Sequence, residues 1–314
     1  MKANYLFFTR LSKTYPMLDY AALSALATVV REGSFERAAR VLHVTPSAIS
    51  QRIRQLEERV GCALVVRGQP CRPTETGRRL CQHADHVRLL EQDLRDALPG
   101  LDPAGLARVA LPVAVNADSL ATWLAPAIAA FAADKPVLMA VAVDDQDFTG
   151  EWLRSGAVVA AVTGVARPAS GCNSRALGSM RYLAAASPAF MRRHFAAGVG
   201  AGSLAQAPSL VFNTKDELQA RWARRLCHRH VELPRHTLPS TEAFVAASLA
   251  GMGWGMHPQA LIAPQLAAGA LVELVPDTPL DVPLYWQHAR AASGLLDELS
   301  AVVIAAARGA LLAP

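Results

Sequence analysis

The chain has 314 residues, of which 52% are hydrophobic and 18% charged. That balance excludes a disordered polymer, and the length exceeds what a single core organises, so two or three domains are expected. The net charge of +5 is unevenly placed: residues 1–80 carry 13 Lys and Arg against 6 Asp and Glu, whereas residues 101–314 carry 16 of each, which joins a basic module to a neutral one.

Arg occurs 27 times and Lys four times, so the position of the Arg residues says more than their number. The five cysteines (62, 71, 81, 172 and 227) are odd in number, scattered and without a C-x-x-C pair, which argues for reduced thiols in a cytoplasm. At the N-terminus, Arg10 and Lys13 interrupt the Tyr5–Phe8 apolar patch before it reaches the ~7–15 residues of a signal peptide. Ala243–Val272 lacks charge, but its glycines and Pro258 and Pro264 would break a lipid-facing helix, so it reads as buried soluble structure and no membrane partner is expected.

In chain order, Leu23, Leu26, Ala27 and Val30 recur at helical spacing and stop at Gly33. Ser34 caps a second short helix with Phe35, Ala38, Ala39 and Leu42 inward. Thr45–Pro46 starts a third, with Ile49, Ile53, Leu56 and Val60 inward and Gly61 at its end. Two helices joined by a three-residue turn have helix-turn-helix geometry; an ordinary helical hairpin is the plain alternative. The outer face of the third helix favours the former. Ser47, Ser50, Gln51 and Arg54 point away from the apolar stripe with Arg52 beside them, and short hydroxyls and amides near a helix N-terminus reach base edges in a major groove. Leu64–Val66 then reads as a strand, followed by a short hairpin with Arg67 and Arg72 at its two ends, suited to phosphates or the minor groove.

From Thr74 one helix is expected to reach about Leu98. Leu80, Val87 and Leu94 are seven apart, and Leu90 and Ala97 fill the other heptad position, giving either a dimer seam or a face buried against the next domain. Pro99–Gly100 and Asp102–Gly105 form a linker.

The run Phe35-x-x-Ala38-Ala39-x-x-Leu42, then Thr45-Pro-Ser-Ala-Ile-Ser50-Gln-x-Ile53-x-x-Leu56-Glu57, with Gly61, Leu64, Arg67, Thr74 and Gly77, resembles the winged helix-turn-helix of LysR-type transcriptional regulators. Val65 departs from the Phe usual there. The resemblance covers the whole chain. It implies residues 1–16 as an extension or misassigned start, 17–76 as the DNA-binding domain, 77–105 as a linker and dimerisation helix, and 106–314 as a two-lobed effector domain. Thr45 and Pro46 join Ser47, Ser50, Gln51, Arg52, Arg54, Arg67 and Arg72 as expected DNA contacts, and Leu80, Val87, Leu90 and Leu94 as the dimer seam.

Beyond residue 108, strand-like and helix-like segments alternate: Val109–Val115, Ser119–Ala133, Val137–Val143, Phe148–Ser155 and Ala157–Val162. A second set follows with Tyr182–Ala186, Ser187–Phe195, Leu210–Phe212, Asp216–Leu226, Glu242–Leu249 and Met252–His257. Leu261–Ala268, Val272–Leu274, Leu284–Trp286 and Leu295–Ala307 read as returning to the first lobe. Such alternation implies an α/β fold with parallel sheet, and the two lobes resemble the periplasmic-binding-protein architecture of LysR-type effector domains: lobe I about 106–166 and 258–314, lobe II about 167–257. In such folds ligands sit at the carboxyl ends of strands. Two helix starts lie there, Asn116-Ala-Asp118-Ser119 and Ser240-Thr241-Glu242, whose hydroxyls suit a carboxylate beyond any capping role. Asp144–Asp145 closes the second strand and Thr163 follows the third; with Asp118 and Glu242 the aspartates favour a cation, a solvated turn being the alternative.

Val113-Ala-Val-Asn116-Ala-Asp118-Ser119-Leu-Ala-Thr-Trp123-Leu and Ser240-Thr-Glu242-Ala-Phe244-Val, together with Arg37 and Arg72-Pro-Thr74-Glu, resemble the ArgP/LysG subgroup of that family. The resemblance implies sensing of L-lysine or L-arginine, control of basic amino-acid export genes, RNA polymerase as a partner, and a homodimer assembling to a homotetramer on double-stranded DNA in the cytoplasm. On it, Ser119 and Thr241 are expected to bind an α-carboxylate, and Asp144, Asp145 or Glu242 a side-chain cation. No cofactor or metal is expected, because Cys227-His228-x-His230 lies among Arg221, Arg224, Arg225 and Arg229, which repel cations. Gly251-Met-Gly-Trp-Gly255 lacks the residues of a phosphate loop and reads as tight helix–strand packing. The rival readings are another effector, or a nucleoid or replication-origin binder; no catalytic constellation supports an enzyme.

Overall fold

The computed structural model describes residues 18–98, 109–144, 149–155, 157–290 and 294–313, in two compact units that divide at Leu94/Arg95. The expected N-terminal extension, the linker beyond Leu98 and Asp145 lie outside the described residues.

The first unit contains α1 (Tyr20–Glu32), α2 (Phe35–Val41), α3 (Pro46–Val60), β1 (Val65–Val66), β2 (Arg72–Pro73) and α4 (Glu75–Ala97). Its helix boundaries follow local chemistry. Asp19, Ser34 and Thr45 accept hydrogen bonds from the first free N–H groups of α1, α2 and α3, and Gly33 and Gly61 end α1 and α3 in the left-handed region. Leu23, Leu26, Ile49, Ile53, Leu56 and Leu64 form the core at 0–2% exposure, each contributing about 1.5–3 kcal/mol by leaving water. Ala38 and Ala39 are equally buried where small side chains let helices cross closely.

A two-stranded antiparallel wing pairs Val65 with Pro73 and Val66 with Arg72. Glu57 Oε1 accepts hydrogen bonds from Leu64 N (2.8 Å) and Val65 N (3.4 Å), fixing the wing to α3. Thr74 Oγ1 accepts from Gly77 N at 3.1 Å and donates to Ala63 O at 2.9 Å, so it starts α4 and ties it to the segment leading into β1. Of the expected seam, Leu80 packs against the core of its own unit, because the first turns of α4 close the winged helix; Val87 is half-buried, and Leu90 and Leu94 are half exposed.

The second unit begins with β3 (Val109–Asn116), α5 (Ala117–Ser119), a π-helical turn (Leu120–Leu124), α6 (Ala125–Asp134), β4 (Val137–Asp144), α7 (Thr149–Ser155) and β5 (Ala160–Thr163). It continues through β6 (Cys172–Ala186), α8 (Pro188–His194), α9 (Ala201–Leu204), β7 (Ser209–Val211), α10 (Leu218–Cys227), β8 (Arg235–Thr237) and α11 (Thr241–Leu249). β9 (Gly255–Pro258), α12 (Gln259–Ala267), β10 (Val272–Glu273), β11 (Leu280–Ala289) and α13 (Gly294–Ala310) complete it.

The expectation of a parallel sheet holds only in part. β4, β3 and β5 are parallel, as are β7 and β8, but β6 and β11 run antiparallel to each other and β11 antiparallel to β5. Sequence reading found only short pieces of these two long strands, because Asn173, Ser174 and Arg175 in β6 and Pro283 in β11 interrupt any apolar run. They carry the chain between lobes: Cys172–Ala176 and Tyr285–Ala289 pair beside β5, whereas Tyr182–Ala185 of β6 pairs with β9 and Ala185–Ala186 with β10. Leu261, Ile262, Leu266 and Leu271 pack with Leu183 and Ala185, so α12 and β10 stay at that end and the return to β5 runs along β11. The Gly251–Gly255 run packs tightly, as read: a Cβ on Gly253 would lie 2.8 Å from Leu210 Cδ2, and one on Gly255 2.4 Å from the Phe244 ring. The uncharged Ala243–Val272 segment forms α11, β9 and α12, and among the described residues no helix is long and apolar enough to cross a membrane.

Candidate nucleic-acid interface and ligand cleft

On α3 the inward stripe leaves one face to solvent. Thr45, Pro46, Ser47, Gln51 and Arg54 are exposed and Ser50 and Arg52 half-buried, so the residues singled out in the sequence share the N-terminal part of one helix. Thr45 Oγ1 accepts from Ala48 N at 3.2 Å and lies 2.9 Å from Ser47 Oγ, which holds the first turn in a defined shape. Arg67 and Arg72 are exposed at the two ends of the wing, and the Arg67 guanidinium lies 5.3 Å from the Phe35 ring centroid. Stacking of that kind restrains the guanidinium while leaving its N–H groups for a phosphate. Cys71 N donates to Gly33 O at 2.9 Å, fastening the far side of the wing to the α1–α2 turn. The arrangement can place one helix in a groove and a cationic wing on the adjacent backbone.

In the second unit the carboxyl ends of β3 and β4 meet in register, Asn116 beside Asp144. They open on a cleft lined by Asn116, Ala117, Asp118, Asp144, Phe212 and Asp216, and across it by Thr241, Phe244, Met256, His257 and their neighbours. Asn116 is 1% exposed and neither atom of its side-chain amide has a hydrogen-bond partner. Such a group is costly to bury and has both a donor and an acceptor available to a molecule in the cleft. Asp118 bridges elements: it accepts from Tyr182 OH at 2.8 Å and from Thr241 Oγ1 at 3.3 Å. Burial pushes its carboxyl up to about 6 against those two hydrogen bonds. Burial also raises Asp216, whose oxygens accept from Phe212 N (2.9 Å) and Leu218 N (3.1 Å). His257 is pushed by burial down to about 3 and stays neutral, 2.9 Å from Ser248 Oγ. Asp144 Oδ2 accepts from Trp152 Nε1 at 3.1 Å, and its Oδ1 lies 3.9 Å from Lys215 Nζ. Three carboxylates and a mostly apolar wall suit a ligand with an aliphatic stem and positive charge.

Of the residues expected here, Asn116, Asp118, Asp144 and Thr241 come together in the cleft. Ser119 is fully buried with an unpartnered Oγ, and it caps nothing: the helix begins two residues earlier at Ala117 with Asn116 as its cap position. Ser240 and Glu242 are exposed and do not line the cleft; Ser240 Oγ caps α11 through Ala243 N at 3.3 Å. Thr163 is buried, its Oγ1 accepting from Val165 N at 3.2 Å. Sequence reading missed Asp216, Tyr182 and His257. Asp216 was within reach, since it stands where β7 gives way to α10, the same strand-to-helix junction that drew attention to Asn116; Tyr182 needed knowledge that β6 crosses between lobes.

Residues 20–78 match a family profile described as bacterial regulatory helix-turn-helix protein, lysR family, and residues 102–308 one described as LysR substrate binding domain. The chain is 48% identical over 286 residues to the HTH-type transcriptional regulator ArgP of Pseudomonas fluorescens (90% of this chain, 95% of that one). It is 46% identical over 294 residues to LysG of Mycobacterium tuberculosis (94% and 95%). Among solved structures, ArgP from Mycobacterium tuberculosis superposes with a TM-score of 0.82 at 44% identity, covering 95% of this chain and 100% of that one. Full-length LysG from Corynebacterium glutamicum with bound effector Arg gives 0.71 at 35% identity, covering 94% and 100%.

Proposed function

The chain belongs to the LysR family of transcriptional regulators, as an ArgP/LysG-type member and not an enzyme, and on that premise we propose that its cleft binds L-lysine or L-arginine and thereby controls basic amino-acid export genes. The observation that carries the choice of ligand is the meeting of Asp118, Asp144 and Asp216 around one apolar-walled cleft, where no Arg or Lys is among the lining residues. The arginine-bound LysG of Corynebacterium glutamicum supports the same class. We assign the ligand's positive groups to Asp118 and Asp144 in place of the exposed Glu242, and its α-carboxylate to the Asn116 amide and Thr241 hydroxyl, with Ser119 beneath them. Calorimetric titration is expected to show lysine or arginine binding at least tenfold more tightly than a neutral isostere such as norleucine; equal affinities would overturn the assignment.

We place the domain boundaries where the sequence suggests them, except that α12 and β10 are assigned to the second lobe for their packing on Leu183 and Ala185. Two chains pair through the exposed Leu90 and Leu94 of α4 and assemble further to a tetramer on DNA in the cytoplasm, where ligand-driven closure changes dimer spacing and RNA polymerase contact. Thr45–Arg54 reads a major groove and Arg67 and Arg72 hold its flanks. Ser50→Ala or Gln51→Ala is expected to cost about 1–3 kcal/mol at one base pair and relax sequence preference, whereas Arg67→Ala weakens all duplexes alike. Gel-shift titration against operator and scrambled duplexes measures both; a uniform loss from Ser50→Ala and Gln51→Ala would remove α3 as the reader, and coating without discrete footprints would favour a nucleoid-binding role instead.

A further inference from the structure

Lys is rare in this chain, four residues against 27 Arg, yet one of the four, Lys215, faces a carboxylate of the cleft without itself lining the cleft. It lies in the turn between β7 and α10, and its ammonium stands 3.9 Å from Oδ1 of Asp144, at the end of β4 on the other lobe. The turn that presents it is braced. Asn213 Oδ1 accepts from Lys215 N at 2.7 Å, Asp216 N donates to Asn213 O at 3.3 Å, and both Asp216 oxygens are held by backbone N–H groups of Phe212 and Leu218. Asp144 is oriented as well: the Trp152 indole donates to Oδ2, and Oδ1 faces Lys215. A cation on a four-carbon stem is thus supplied by the protein to a carboxylate that lines the cleft, in the chemical form of the ligand's own side chain.

We propose that Lys215 is a tethered competitor of the ligand: with the cleft empty its ammonium occupies Asp144, and a ligand carrying a side-chain cation displaces it. The inference rests on the proposed binding of lysine or arginine to this cleft. The competition costs a basic amino acid one ion pair that a neutral one of equal length does not have to break. A neutral side chain leaves the Lys215–Asp144 pair in place, whereas a cationic one exchanges with Lys215 at one carboxylate and moves the Lys215 ammonium off Asp144. A half-exposed ion pair contributes up to about 1 kcal/mol, so its loss corresponds to roughly three- to fivefold in affinity.

The test uses Lys215→Met and Lys215→Arg in the full chain, with lysine, arginine and norleucine titrated into each by calorimetry. Lys215→Met, which keeps the stem and deletes the charge, is expected to bind lysine and arginine about three- to fivefold more tightly than wild type, whereas Lys215→Arg stays within twofold. The gain is expected to shrink in 0.5 M NaCl, where the competing pair is screened. If wild type binds lysine and arginine but Lys215→Met binds them equally or more weakly, Lys215 is no competitor and the inference fails, a weaker affinity making it a strap closing over the ligand. If wild type binds neither basic amino acid, it is the underlying reading that fails.

Discussion

Asp118→Asn is expected to lower affinity for lysine or arginine by about 100-fold, while leaving the ligand-free protein as stable as wild type or more so. Both directions come from one carboxyl group. It sits half-buried at the first turn after β3, bonded to Tyr182 OH and Thr241 Oγ1, and burial has raised it from 3.8 to about 6. At neutral pH the empty protein therefore holds a carboxylate that its surroundings disfavour, a cost of at most about 3 kcal/mol for a group raised from 3.8 to about 6. An Asn there keeps both partners, with its oxygen accepting from Tyr182 and its amide donating to Thr241, and it removes the charge. A gain of about 1 kcal/mol in stability follows, read as a higher melting temperature at pH 7. The ligand loses a desolvated charge-assisted bond, about 2–3 kcal/mol and hence some 100-fold. Unchanged affinity would remove Asp118 as a cation receptor, and a marked loss of stability would show that the carboxylate supports the fold.

The same group sets a pH dependence of opposite sign for folding and for binding. Between its unfolded value near 3.8 and its folded value of about 6 the native protein holds a proton that the unfolded chain has released. The stabilisation from this carboxyl is therefore complete below pH 3.8 and lost as pH rises through about 6. Ligand affinity moves the other way, weakening by up to tenfold per pH unit below about 6 and levelling above it, since a cation needs the carboxylate. Asp216, also raised by burial, faces the same cleft and retains a share of the slope in Asp118→Asn. His257, held near 3, stays neutral across this window.

How much of this was legible in the sequence depended on how local the cause was. The winged helix was readable because each boundary is made by a neighbour in the chain: Asp19, Ser34 and Thr45 cap the helices that follow them, and Gly33 and Gly61 end the ones before. The cleft was half legible by the same logic, since Asn116, Asp118 and Asp144 stand at strand ends that any α/β pattern marks. What escaped is non-local. β6 reads as a strand only over its apolar second half, and its polar first half is held by pairing with β11, more than a hundred residues away. Tyr182, in the second half, comes opposite Asp118 through the pairing of β6 with β11 and with β9. Ser119 was misjudged for a smaller reason: Asn116 takes the cap position, and a π-helical turn follows, so the helix begins earlier than the apolar spacing implies.

Gly77→Ala is expected to abolish DNA binding while leaving ligand binding unchanged. A Cβ at residue 77 would lie 2.0 Å from Leu64 O, the carbonyl that accepts from Thr74 N at 2.9 Å, so the obstacle is backbone and cannot rotate away. Nor can Leu64 retreat, for its side chain is fully buried and its N–H is held by Glu57 Oε1 at 2.8 Å. α4 must therefore part from the wing, which costs the Thr74 bonds to Gly77 and Ala63 and the packing of Leu80, about 3 kcal/mol or more. Gly61→Ala is the control. Gly61, unlike the helical Gly77, has a positive φ (82°), but a Cβ there meets nothing within 4 Å, so only the left-handed backbone is penalised, about 1 kcal/mol. The cleft belongs to the other compact unit, built around β3, β6 and β11, and it shares none of these contacts. Calorimetry should therefore give wild-type ligand affinity for both variants, and scanning calorimetry should lower one transition in Gly77→Ala far more than in Gly61→Ala. Equal losses in the two variants would mean that the Leu64 carbonyl gives way to the added Cβ and does not govern how the wing joins α4.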